Sequence, residues 1–97
     1  MIASFGDQAT RDVFDDENSR TARSIPKDIW KVAQRKLDQL NAAHLIEDLR
    51  VPPGNRLEAL RGDLAGYWSI RVNDQYRIVF QFNDGHAKDV KIVDYHR

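Results

Sequence analysis

Between Gly66 and Phe82 the chain alternates, turns and alternates again. Trp68, Ile70 and Val72 fall on one side and Tyr67, Ser69 and Arg71 on the other, because strand side chains have a period of two. Past Asn73-Asp74-Gln75 the apolar row resumes with Tyr76, Ile78, Phe80 and Phe82, opposed by Arg77 and Gln81. The pattern predicts an antiparallel hairpin with one dry face and one wet, cationic face. A turn at Asn83-Asp84-Gly85 leads into a further strand over residues 87–95, rich in Val and Ile. Residues 57–60 are expected to open the sheet, with Gly62-Asp63-Leu64-Ala65-Gly66 connecting them to the hairpin.

Upstream the period changes. Residues 2–5 are short and apolar, an expected edge strand. Residues 7–14 predict a short helix, with Asp7 as cap and Ala9, Val13 and Phe14 as inner stripe. The run Asp15-Asp16-Glu17-Asn18-Ser19 breaks it. Ser24-Ile25-Pro26 starts a longer helix, since proline is tolerated in a first turn. From there to about residue 43, Ile29, Ala33, Leu37 and Leu40 recur at spacings of three and four, with Trp30 and Val32 alongside. Lys27, Lys31, Arg35 and Gln39 occupy the opposite face, so the helix is amphipathic and packs on the sheet. Residues 44–49 add a further helical turn. Val51-Pro52-Pro53-Gly54-Asn55 reads as an ordered surface loop without regular structure. The order of elements predicts an α+β domain: a mainly antiparallel sheet, built from a short N-terminal strand plus three to four C-terminal strands, with two to three helices packed on one face.

Ninety-seven residues make a single domain, 1–97. A composition 41% hydrophobic and 31% charged is that of a globular protein. No apolar run approaches the ~20 residues of a membrane span, and the N-terminus lacks a signal-peptide pattern. There is no cysteine, which excludes disulfides and thiolate metal sites. A cytoplasmic location without membrane contact is expected. The net charge is zero, which argues against a general nucleic-acid binder. Residues 1–49 nevertheless carry seven Lys/Arg against nine Asp/Glu, and residues 50–97 eight against six. The basic surplus therefore sits with the strands and points weakly to an anionic ligand there.

Glycine-rich phosphate loops, His-Glu metal signatures and nucleophile elbows are absent. His44, His86 and His96 are not at metal-ligand spacing, so neither metal nor cofactor is expected. What remains is a set of arginines on an open sheet face and a Tyr-His pair at the end of the sequence. Such a set suits phosphodiester chemistry: arginine binds phosphate bidentately and stabilises charge developing on its oxygens. Histidine or glutamate moves protons between a ribose 2′-hydroxyl and a leaving oxygen.

The spacing of Leu60-Arg61-Gly62-Asp63, Gly66-Tyr67-Trp68-Ser69-Ile70-Arg71-Val72, Gln75-Tyr76-Arg77-Ile78-Val79-Phe80 and Asp94-Tyr95-His96 resembles the HigB toxins of the RelE superfamily. The segment from Val51 to Asp63 is characteristic of one branch of that group. The resemblance covers nearly the whole chain. It implies a RelE-like fold and a bacterial type II toxin that enters the ribosomal A site and cleaves mRNA. It also implies neutralisation by a HigA-like helix-turn-helix antitoxin, through which operator DNA is reached only indirectly. Carried over by position, Arg77 matches the hairpin arginine that holds the scissile phosphate. Asp94, Tyr95 and His96 match the C-terminal motif, Tyr95 orienting or stacking on a nucleotide and His96 moving a proton or stabilising charge. Arg61 takes the position of a charge-stabilising basic residue. The chain departs from some relatives at Glu58, where they have a histidine; the general base is thus Glu58 or His96, or Glu58 only pairs with Arg61 or Arg77. Arg71 and Gln75 on the hairpin, and Lys31 and Arg35 on the long helix, are further candidates for RNA contact. Two other readings share the fold: a non-enzymatic ParE-like inhibitor of DNA gyrase, and an inactive module that only binds its antitoxin.

Overall fold

The computed structural model describes residues 1–95. Two helices, α1 (Gln8–Phe14) and α2 (Trp30–Ala42), pack against a four-stranded antiparallel sheet of β1 (Glu58–Ala59), β2 (Trp68–Arg71), β3 (Tyr76–Asn83) and β4 (His86–Asp94), ordered β1-β2-β3-β4. Asp7 caps α1 as expected, its carboxylate accepting from the Thr10 amide at 2.8 Å. The longer helix begins as a single 3₁₀ turn (Lys27–Ile29) and becomes α-helical at Trp30. Its inner face, Ala33, Leu37 and Leu40, is fully buried against Ile70, Ile78 and Phe80 of the sheet and Val90 beyond them. None of the helices is long and apolar enough to cross a membrane, among the described residues.

β3 and β4 are joined by Asp84-Gly85, both at positive φ (53° and 78°), the conformation of the two-residue hairpin turns whose twist suits the flanking strands. The register then slips between Val79 and Gln81. Val79 faces Lys91 while Gln81 faces Lys88, so Asp89 and Val90 together stand opposite Phe80, and Asp89 takes φ 54°. This β-bulge explains why the buried positions of β4 are Ala87, Val90 and Ile92, spaced by three and then by two. The Asp89 amide is satisfied by the Ser4 hydroxyl (2.8 Å), and the Asp89 carboxylate accepts from the Tyr67 hydroxyl (2.5 Å).

Residues 2–5 do run along β4, but as two isolated parallel bridges, Ile2 with Ala87 and Phe5 with Val90, rather than a continuous ladder. The stretch Val51-Pro52-Pro53-Gly54-Asn55 is a surface loop as expected over residues 51–54, which are exposed, but the expectation that it lacks regular structure needs correction. Pro53–Asn55 form a 3₁₀ turn, and Asn55 is fully buried. Its amide side chain donates to Gln39 Oε1 (3.2 Å) and to the Leu49 and Val51 carbonyls (3.1 and 3.4 Å), while its Oδ1 accepts from Lys36 Nζ at 2.5 Å. The backbone of the turn satisfies the Pro52 and Pro53 carbonyls, and the Asn55 side chain satisfies the Leu49 and Val51 carbonyls that precede it.

Candidate active site

The open face of the sheet is set by register. Glu58 on β1 pairs with Ser69 on β2, and Arg71 on β2 lies directly across from Arg77 on β3, which faces Val93 on β4. Directly opposed residues share a face, so Glu58, Ser69, Arg71 and Arg77 all project to one side, and Tyr95, two residues past Val93, follows them. Of these, Glu58, Arg71, Arg77 and Tyr95 join Arg56, Asn73 and Asp74 in lining a cleft of about 430 Å³, while Ser69 is buried and bonds to Arg77.

Arg77 forms its floor. The side chain is only 11% exposed and is held from four directions. Nη1 donates to Ser69 Oγ (2.7 Å) and to the Arg56 carbonyl (3.4 Å), Nη2 pairs with Glu58 Oε1 (2.9 Å), and the guanidinium lies 5.2 Å from the centre of the Tyr95 ring. Stacking on an aromatic face suits a guanidinium, which is planar and weakly hydrated. Glu58 is much more exposed than its partner, at 44%. It can swing away while Ser69, the Arg56 carbonyl and Tyr95 keep the guanidinium in place.

Two arginines directly opposite one another in a sheet repel. Here each has its own carboxylate, Asp74 for Arg71 and Glu58 for Arg77. The Asn73 side chain shapes the turn between them, accepting from the Gln75 and Tyr76 amides at 2.9 and 2.7 Å. Behind the rim, burial holds the Lys36 ammonium below the usual lysine range, with the nearby charges of Arg35 and Arg71 adding to the effect.

The structure therefore brings Arg77, Glu58, Arg71 and Tyr95 together. Asp94 and Gln75 meet at the edge of the site: Gln75 Nε2 donates to Asp94 Oδ2 at 3.1 Å, and the Gln75 carbonyl accepts from the Tyr95 amide at 2.6 Å. Arg61 is exposed, at the residue preceding the 3₁₀ turn Gly62–Leu64, and does not line the cleft. Lys31 and Arg35 lie on the solvent side of α2, also outside it. His96 lies outside the described residues. Sequence reasoning missed Arg56, Ser69 and Asn73 as site residues. Ser69 carried a signal, being a small polar side chain on the same strand face as the arginines; Arg56 carried none short of knowing how the preceding turn folds.

A small α+β domain with an arginine-lined cleft on its sheet thus presents the kind of donors that can pair with the oxygens of an anion. A family model described as the RelE-like toxin of the type II toxin–antitoxin system HigB matches residues 3–96. The chain belongs to this family of HigB-like toxins. Toxin HigB-1 of Vibrio cholerae serotype O1 is 46% identical over 87 residues, covering 90% of this chain and 90% of its own length. Endoribonuclease HigB of Proteus vulgaris is 34% identical over 96 residues, covering 99% of this chain and all of its own. Among solved structures, a chain of the YoeB–YefM complex from Staphylococcus aureus superposes with a TM-score of 0.61 at 18% identity, over 100% of this chain and 99% of that one. A YafQ mutant from E. coli gives 0.59 at 17% identity, over 98% and 94%. These two likenesses are of fold, and the fold is RelE-like.

Proposed function

We propose that this toxin is an endoribonuclease that cleaves mRNA in the ribosomal A site, in the cytoplasm of a bacterium, and is neutralised by a HigA-like helix-turn-helix antitoxin. The observation that carries this reading is the state of Arg77: a nearly buried guanidinium, fixed by Ser69 and the Arg56 carbonyl and stacked on Tyr95, whose remaining partner is an exposed, displaceable carboxylate. A scissile phosphate entering the cleft replaces Glu58 on Arg77, forming charge-assisted hydrogen bonds. The ribose 2′-oxygen then attacks the adjacent phosphorus, the bond to the 5′-oxygen breaks, and a 2′,3′-cyclic phosphate remains. Arg77 stabilises the charge that builds on the non-bridging oxygens. Glu58, released from Arg77, takes the 2′-hydroxyl proton, and His96 gives a proton to the leaving 5′-oxygen. Tyr95 stacks on a base beside the cut, with Asp94 holding the backbone through Gln75. Arg71 and Gln75 follow the strand along the hairpin, Arg61 adds charge from the adjoining loop, and Lys31 and Arg35 meet ribosomal RNA phosphates. A site with so few proton-transfer groups relies on its ribosomal context to orient the substrate.

Primer extension on a defined mRNA, with and without programmed ribosomes, tests the reading. Cleavage is expected only with ribosomes, reduced roughly 10²–10³-fold by Arg77→Ala and weakened by His96→Ala. Glu58→Gln separates base from tether: a rate that holds while the pH profile is unchanged removes Glu58 from proton transfer. Growth arrest with no cleavage under either condition overturns the nuclease reading in favour of gyrase inhibition.

A further inference from the structure

Three arginines line the cleft, Arg56, Arg71 and Arg77, with two acidic residues, Glu58 and Asp74. Both carboxylates are committed, Glu58 to Arg77 and Asp74 to Arg71. Arg56 forms no ion pair with any described residue, so it carries the one uncompensated charge of the lining.

The backbone holds it there. Arg56 sits at φ 47° and ψ 54°, the left-handed conformation, which is strained for a non-glycine residue and persists only where the surroundings impose it. They do so from both sides. The Arg56 amide closes the preceding turn on the Pro53 carbonyl at 3.1 Å, and its carbonyl accepts from Arg77. Immediately before it, Asn55 is locked into α2 through Lys36 and Gln39. The same residue therefore offers its carbonyl to Arg77 and lines the cleft beside it, which keeps the backbone that carries its side chain next to Arg77.

We propose that Arg56 is a second phosphate-binding residue. With the scissile phosphate on Arg77, Arg56 takes the phosphate of the adjoining nucleotide, and the cleft recognises two successive phosphodiesters rather than one. The inference rests on the reading of the chain as an RNA-cleaving enzyme.

The test is equilibrium binding of two uncleavable oligoribonucleotides, 2′-O-methylated throughout and lacking terminal phosphates: a dinucleotide with one phosphodiester and a trinucleotide with two. Arg56→Asn removes the charge while keeping a residue that tolerates left-handed backbone, and leaves the carbonyl to Arg77 in place. Arg56→Gly, which adopts that backbone without strain, serves as a second variant should the first fold poorly. The wild-type chain is expected to bind the trinucleotide more tightly. Either variant weakens trinucleotide binding roughly tenfold, as loss of one charge-assisted contact does, and changes dinucleotide binding by less than about twofold. The slope of log affinity against log salt on the trinucleotide falls by about 0.7, the value for one single-strand phosphate contact, and Arg56→Lys restores it. Unchanged trinucleotide binding, or equal loss on both oligonucleotides, overturns the second-phosphate assignment and leaves the nuclease reading standing. Failure of the wild-type chain to bind either oligonucleotide also overturns the second-phosphate assignment, while the nuclease reading stands or falls by primer extension with ribosomes.

Discussion

Lys36 donates its ammonium to Asn55 rather than to a carboxylate, and Asn55 in turn donates to a side chain and two carbonyls. Asn55 is therefore the point on which the wall of the cleft depends, and the two residues are not equivalent. Asn55→Ala strands a buried ammonium and several acceptors at once, and is expected to cost about 3 kcal/mol. Lys36→Met leaves Asn55 three of its four partners, and a flexible apolar chain of similar length follows the same path. Urea denaturation of the two variants should rank Asn55→Ala as clearly the less stable; equal losses would mean that the pair, not Asn55, anchors the turn. Among single residues, the place of Arg77 on the polar face of the hairpin was readable from the alternation, while its role at the site came only from the family resemblance. Asn55 was not readable, because an asparagine after Pro-Pro-Gly looks like any exposed turn residue, and only its long-range partners on α2 reveal that it is buried.

The secondary elements were more legible than the joints between them. The period of two through β2 and β3, and the spacing of Ile29, Ala33, Leu37 and Leu40, reflect burial of one face, a property of each segment alone. The β-bulge at Asp89 was invisible for the opposite reason: it arises from pairing with β3, and its amide is satisfied by Ser4, eighty-five residues away. The same reasoning covers the wet face of the hairpin. Ser69 and Val79 belong to it by alternation but are buried all the same, Ser69 with the near-buried Arg77 bonded to its hydroxyl. Local rules also make a quantitative statement about α1. A seven-residue helix has too few turns to persist by propensity, so its cap matters. Asp7→Ala is expected to lower the unfolding free energy by about 1 kcal/mol, read from the denaturation midpoint at an unchanged m-value.

For the molecule as a whole, two interactions remote from the cleft contribute to the response to pH at opposite ends of the scale. The Asp12 carboxylate accepts hydrogen bonds from Ser19 and Thr21 (2.5 Å each) and Gln8 (2.7 Å), which hold its pKa below the usual carboxylate value. That stabilisation is present above the ordinary aspartate pKa and fades as pH falls through the lowered one. The Tyr67 phenol is raised by donating to Asp89, so its contribution is complete below the ordinary tyrosine range and fades as pH rises through the raised value. Profiles of Tm against pH should show Asp12→Asn flattening the acid limb and Tyr67→Phe the alkaline limb; an Asp12→Asn profile parallel to the wild type would dismiss the first assignment. The placement of residues 2–5 along β4 has a consequence of another kind. The amides of Ala3 and Gly6 bond to the carbonyls of Ala87 and Val90, and the amides of Ala87 and Val90 bond back to Met1 and Ser4. During synthesis the first of these partners emerges more than eighty residues before the second. The nascent chain therefore has no strand against which to lay its beginning, and no Tyr95 to support Arg77, until almost the entire domain has been translated.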